Sequence, residues 1–349
     1  METNRGSVTN SWNGTSNDRP REVVTVSVAM TTYNQEKFIG QAVDSVLGQE
    51  TNFPVEVVIG EDCSTDGTRA IVLDYGRRFP DKVRLLLHER NLGPQLNLAQ
   101  TLRACRGMYV ALLEGDDCWT SMHKLQKQVD FLERHPECSQ CFHRVAAVFE
   151  DGSFTPSRQN RPPEDLRRTS TLEDLLRNNY MTYCSVMFRR GLVTGFPECY
   201  YRLLAVDWLL FVLNAEHGLI GYLDDVMAAY RIHRGGIWSG LNWAGRQKAI
   251  LDFYDAVQPL YAKRFDRSIR CGTFQCCYEL AMEYADSGDF LTAKAYAQRG
   301  FKQRPFESRD CSGPAIRLLL RFSAPSVYRL LRAAVRGLRT FRQSQKAAT

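Results

Sequence analysis

Glu114, Asp116 and Asp117 place three carboxylates within four positions, at the end of the apolar run 108–113. Like charges this close repel one another, and at the end of a buried strand they are partly desolvated as well, so something must compensate them. A second acidic pair, Glu61-Asp62, ends the apolar run 55–60. Mg²⁺ or Mn²⁺ is held by one or two carboxylates and completes its shell with phosphate oxygens. No GxGxxG follows the first apolar run and no GxxxxGK[ST] occurs anywhere, so neither a dinucleotide cradle nor a P-loop is expected. The carboxylates therefore read as tolerated because a metal bound to a diphosphate lies among them. The plainer alternative is a set of solvated loop residues and helix caps, with Asp117 capping the helix that contains KLQKQVDFLERH.

The elements that must position these residues alternate. Strands are expected at 23–30, 55–60, 83–88 and 108–113, with helices at 36–49, from about 66 to 79 with Ser64 or Thr65 as cap, and from Gly93-Pro94 onward. Four apolar strands separated by three helices predict an α/β fold with a parallel sheet covered on both faces. Ligands then bind beyond the carboxyl ends of the strands, where Thr31 to Asn34, Glu61-Asp62, Asn91 to Gly93 and Glu114 to Asp117 converge.

Composition narrows the class. With 349 residues, 44% of them hydrophobic and 24% charged, the chain can bury a sizeable core in one large or two modest domains. No apolar run approaches the roughly 20 residues of a membrane span. Residues 1–20 lack the apolar stretch of a signal peptide and read as a polar, disordered leader, so a cytoplasmic location is expected. Eleven cysteines, an odd number, are expected to be reduced thiols. Cys138-x-x-Cys141 with His143 lacks the second half of a zinc site. The net charge of +6 is concentrated: from Ser312 to the end there are seven Arg, one Lys and no acidic residue, and the remainder is slightly acidic. No nucleic-acid partner is expected.

SVAMTTYNQEKFIGQAVDSVLGQ, VVIGEDCSTDGT, RNLG and YVALLEGDDCWTSMHKLQKQVDFL resemble the family-2 glycosyltransferases of the GT-A fold, especially bacterial enzymes of surface-polysaccharide assembly. The resemblance covers about residues 23–145 and resumes at 205–239. It implies a GT-A, Rossmann-like, mostly parallel sheet flanked by helices, with a C-terminal helical extension. It also implies an inverting, metal-dependent enzyme of the hexosyltransferase class. Such an enzyme moves a sugar from a nucleoside diphosphate sugar, with uridine favoured, to a glycan or lipid-linked acceptor.

Carried onto matching positions, Thr31 and Tyr33 line the base pocket and Asp62 hydrogen-bonds the base. Asn34, Glu36 and Asn91 complete the nucleotide-binding set. Glu114-Gly115-Asp116-Asp117 stands where the family has its DxD signature, with Glu in place of the usual first Asp. Glu114 and Asp116 are expected at the nucleotide, and Asp116, Asp117 and His233 at Mg²⁺ or Mn²⁺, with the split between the two aspartates left open. Asp207, in AVDWLL, is the expected general base; its alternative is an ordinary helix N-terminal Asp. Arg231 and Arg234 are either diphosphate partners or solvated loop residues.

These expectations divide the chain into a leader (1–20), a catalytic domain (21–240, nucleotide-binding to 120 and acceptor-binding after it), a helical appendage with a tetratricopeptide-like hairpin (241–310) and a basic amphipathic tail (311–349). The stretch around 150–168 reads as a long loop, and Thr171 or Ser170 as the cap of a helix. Arg329, Arg332, Arg336 and Arg339 recur at helical intervals, with Pro325 splitting the segment. Either an anionic membrane surface, on the inner leaflet, or the chain's own domain would take its apolar stripe. Two rivals to the transferase are a sugar-phosphate nucleotidyltransferase, which would show a glycine-rich basic loop after the first strand, and a non-catalytic protein of the same fold.

Overall fold

Strands β1 (Val26–Thr32), β2 (Val55–Glu61) and β4 (Tyr109–Glu114) are buried along almost their whole length, which is why each reads as an unbroken apolar run. β1 lies between β2 and β4, parallel to both, and β2 pairs in parallel with β3 (Val83–Leu87). Helices α1 (Ile39–Leu47), α2 (Thr68–Arg78) and α3 (Pro94–Ala104) make the crossovers. The structure, a computed structural model, describes residues 24–149, 153–156, 162 and 169–323.

Beyond β4 the chain changes pattern. It runs through β5 (Cys118–Trp119), α4 (Lys124–Arg134), β6 (Cys138–Phe149), β7 (Phe154–Pro156), β8 (Thr169–Ser170), α5 (Leu172–Arg177), β9 (Met187–Arg189), α6 (Val206–Ala215) and β10 (Leu219–Ile232). The sheet order is β3-β2-β1-β4-β9-β6-β10-β5, with β7 on β6 and β8 on β10. β10 runs parallel to β6, whereas the short β5 and β9 pair antiparallel to their neighbours. The result is the expected α/β class, with its long pairings parallel and its short ones antiparallel. Cys138 and Cys141 are buried in the core on β6.

Three helices follow: α7 (Trp243–Asp286), broken at Phe265, α8 (Phe290–Phe301) and α9 (Arg309–Ser323). Gly288, at φ 90°, turns α7 into α8, a conformation that glycine adopts without steric cost. α7 shares a core with the sheet, and α8 and α9 pack on α7 in smaller clusters. Trp208 of α6 stacks on Phe253 of α7 at 3.8 Å, and its indole N–H donates to the Leu175 carbonyl at 3.0 Å. Among the described residues no helix is long and apolar enough to cross a membrane.

Two cap expectations are corrected. Gly67, not Ser64 or Thr65, occupies the cap position of α2, and Asp66 accepts from the Thr68 N–H at 2.9 Å. Ser64 and Thr65 bond Asn34 instead. His123, not Asp117, stands before α4. Thr171 does cap α5, in a reciprocal box with Asp174. Most of the expected loop at 150–168, the leader, and the basic segment from 324 lie outside the described residues.

Trp208 ties α6 to α7 and to α5, so Trp208→Ala should lower stability by about 3–5 kcal/mol, as truncation of a buried aromatic does. Urea unfolding followed by circular dichroism measures this, and a loss under ~1 kcal/mol would mean that α7 contributes little to the fold.

Candidate active site

The carboxyl ends of β1, β2 and β4 open into a cleft of about 1180 Å³. Thr31, Tyr33, Asn34, Glu36, Asp62, Asn91, Glu114, Asp116, Asp207 and His233 all line it. Asp117 is not among its lining residues. Register explains part of this convergence: Thr31 is paired with Glu114 across β1 and β4, and β1 is paired with β2 through Thr32 and Glu61.

The acidic turn after β4 is held from the other side of the sheet. β10 pairs antiparallel with β5, Ala229 opposite Cys118, and so delivers Arg231 and His233 beside residues 116 and 117. The Arg231 N–H donates to Asp117 Oδ1 at 2.8 Å, its Nε donates to the Asp116 carbonyl at 2.8 Å, and its Nη2 donates to Gln41 Oε1 at 2.7 Å. The Arg231 guanidinium also lies 4.6 Å from the ring centroid of Phe38, which in turn packs on His233 at 5.0 Å. His233 Nε2 approaches Asp116 Oδ2 at 2.9 Å. Gly115 is required by crowding, because a Cβ there would stand 2.5 Å from Gln35 Oε1 and 2.7 Å from Thr32 Oγ1.

The electrostatics are those of uncompensated negative charge. Burial first, then the charges of Asp116, Asp117 and Asp207, push the Glu114 carboxyl well above the usual range. Burial and Asp116 do the same to Asp117, against the opposing Arg231 N–H. Asp207 lies in the first turn of α6 and also lines the cleft. Burial pushes its carboxyl up to about 6, although the Trp208 N–H and its own N–H donate to it.

The loop after β1 is stitched to the loop after β2. Asn34, at φ 52°, accepts from the Thr65 N–H at 2.8 Å, and Glu36 accepts from the Gly67 N–H at 2.7 Å. Asp62 accepts from the Leu92 and Gly93 N–H groups at 2.7 and 3.0 Å and fixes the loop after β3, where Asn91 also caps Gly93. Glu61 is turned away, paired with Arg69. Tyr33 is 43% exposed at the cleft wall.

The residues present fit a divalent cation with two protein ligands. Asp116 Oδ1 is buried without a hydrogen-bond partner, and Asp116 Oδ2 and His233 Nε2 lie side by side. Among the described residues no cluster of three His, Cys, Asp or Glu side chains is arranged to hold a metal by itself. Asp117, expected as a ligand, is 1% exposed; its Oδ1 accepts from the Arg231 N–H at 2.8 Å, and its Oδ2, like Asp116 Oδ1, is buried without a hydrogen-bond partner. A shell of one carboxylate and one imidazole leaves the remaining positions for water and phosphate oxygens.

The sequence pattern of glycosyl transferase family 2 matches residues 27–195. Over 228 residues the chain is 31% identical to TuaG of Bacillus subtilis, described as a candidate teichuronic acid biosynthesis glycosyltransferase, an alignment spanning 64% of this chain and 84% of that protein. The chain belongs to glycosyltransferase family 2. An uncharacterized Mycobacterium tuberculosis protein is 41% identical over 213 residues, and the chain spans about 60% of that relative's length. Among solved family-like folds, Staphylococcus aureus TarS in complex with UDP-GlcNAc is similar at TM-score 0.58 and 19% identity, covering 79% of this chain and 81% of that one. A Pyrobaculum calidifontis mannosyltransferase in complex with GDP-Man and Mn²⁺ is similar at TM-score 0.52 and 20% identity, covering 93% of this chain and 86% of that one. At these identities the likeness is one of fold.

Sequence reasoning about this family-2 chain missed two parts of the site. Trp238, Trp243, Arg246 and Gln247, between β10 and the first turns of α7, line the same cleft; nothing in their spacing marks them. The second is the place of Arg231, expected either at the diphosphate or in solvent: its guanidinium bonds the Asp116 carbonyl and Gln41. Arg231→Ala should cost about 1.5–3 kcal/mol in urea unfolding, the scale of hydrogen bonds from a charged group. Arg231→Lys should recover less than half of that, because a point ammonium does not fork to two acceptors. Full recovery by Lys would contradict this positioning role.

Proposed function

We propose that the protein is an inverting, metal-dependent glycosyltransferase that moves a sugar from a nucleoside diphosphate sugar, uridine diphosphate first among them, to a glycan or lipid-linked acceptor of a bacterial surface polysaccharide. The observation that carries this reading is the meeting of Glu114, Asp116 and Asp207 in one cleft at the ends of parallel strands, with one buried Asp116 oxygen lacking a partner. The donors bound by TarS and by the mannosyltransferase, and the Mn²⁺ bound with the latter, support it by analogy of fold. The polysaccharide context rests on the teichuronic acid relative.

In this reading Tyr33 offers its exposed ring to the base and Thr31 lines the base pocket. Asp62 uses two of its roughly four lone-pair sites on the Leu92 and Gly93 N–H groups, and the others remain for an imide N–H of uracil. Asp116 and His233 would hold Mg²⁺ or Mn²⁺, which would supply charge stabilisation to a diphosphate leaving group. Asp117 serves as the clasp that seats Arg231. Asp207 takes the proton from the acceptor hydroxyl on the face of the sugar opposite the leaving group, and one direct displacement inverts the anomeric centre. The cleft exceeds the roughly 300–1,000 Å³ of a single small-ligand pocket, leaving space for donor and acceptor together.

The test is release of nucleoside diphosphate from UDP- and GDP-sugars with Mn²⁺ as a function of pH. A base must be deprotonated to act, so kcat/KM should fall about tenfold per pH unit below the Asp207 value of about 6 and level off above it. Asp207→Asn should lower the rate by about 10²–10⁴ and abolish that acid limb. A variant with the same rate and profile as the unaltered protein would remove Asp207 from the mechanism.

A further inference from the structure

Helix α9 carries two apolar stripes where docking on its own domain uses one. Cys311, Ala315 and Leu318, spaced i, i+4 and i+7, are at most 3% exposed and pack among Phe274, Ala281 and Ala297 of α7 and α8. Ile316 and Leu319, spaced i and i+3 on the side turned outward, are 51% and 42% exposed. Phe306, 55% exposed, stands in the turn Pro305–Glu307 that packs against α9. Arg317 flanks the outward stripe and is exposed as well. Arg321 is drawn back to Asp286 at 2.8 Å.

Charge selects what the outward stripe meets. From Ser312 to Thr349 the chain has seven Arg, one Lys and no acidic residue, and six of those basic residues follow Ser323. A second copy of the chain would bring an equally cationic segment to the same contact, which repels. A nucleic acid backbone matches the charge but offers nothing to Ile316 and Leu319. An anionic lipid surface supplies both, headgroup charge for the arginines and an acyl boundary for the apolar stripe.

We propose that the outer face of α9 docks on an anionic membrane surface. The inner stripe keeps α9 on the appendage while the outer one meets lipid, so binding needs no unfolding of the helix. The proposal is independent of the transferase reading, because its residues lie outside the cleft.

Flotation of the full chain with vesicles tests it, using phosphatidylcholine alone and phosphatidylcholine with about a third phosphatidylglycerol. Binding to the anionic vesicles only is expected, weakened roughly tenfold or more in Ile316→Asp/Leu319→Asp. Arg329→Glu/Arg332→Glu/Arg336→Glu, which leaves α9 untouched, should weaken it as well. Circular dichroism and UDP affinity should be unchanged in both variants. Absence of binding to anionic vesicles, or equal binding by the two Asp substitutions, overturns the proposal. So does concentration-dependent self-association that Ile316→Asp/Leu319→Asp abolishes without any vesicle binding, which would assign the face to a second copy.

Discussion

Four carboxylates share one end of a sheet, and the structure around Glu114, Asp116, Asp117 and Asp207 is organised by their mutual repulsion in a partly buried place. Holding ionised groups there is costly, which is why Glu114, Asp117 and Asp207 are all pushed upward in pKa. Among the described residues Arg231 stands against them, and it acts chiefly through backbone and carbonyl contacts that fix geometry. Buried negative charge thus remains for a ligand to meet. In the proposed reading a divalent cation escorted by a diphosphate would meet it with opposite charge at the buried oxygens that have no partner.

The scaffold makes the deficit sustainable. Parallel pairing of β3, β2, β1 and β4 brings their loops to one edge, and the first three bond to each other: Asn34 and Glu36 to the loop after β2, Asp62 to the loop after β3. A site ordered in advance loses less freedom on binding. The antiparallel returns complete it. β10 must run back beside β5 for Arg231 and His233 to reach residue 116, and α6 must begin at the cleft for Asp207 to face it.

Local patterns made the first half of the fold legible. β1, β2 and β4 are buried on both faces and read as apolar runs, so their ends, and the acidic residues just past them, were placed within about two residues. Cleft membership of Asp62, Glu114, Asp116, Asp207 and His233 was legible too, the last two through the family resemblance. What a side chain does once there was not. Asn34 and Glu36, expected at the nucleotide, line the cleft, and their side-chain oxygens also accept from backbone N–H groups across the loop, which no local pattern announces. Asp117 differs from Asp116 only in which way one residue of a tight turn points, and that depends on Arg231, which is 114 residues away. Lys124 opens α4 fully buried over the Trp119 ring at 3.8 Å, with burial lowering its pKa to about 7. Periodicity gives a lysine there no reason to be inside. Such features are set by contacts distant in sequence.

Calorimetric titration of UDP and GDP into the protein, with Mn²⁺ and with EDTA, and into Asp116→Asn, tests the central claim most directly. The account predicts metal-dependent binding of one nucleotide, abolished by EDTA and weakened at least about tenfold, or 1.4 kcal/mol, by the substitution. Binding indifferent to both the metal and Asp116→Asn would contradict it, and the carboxylates after β4 would then need another counter-charge.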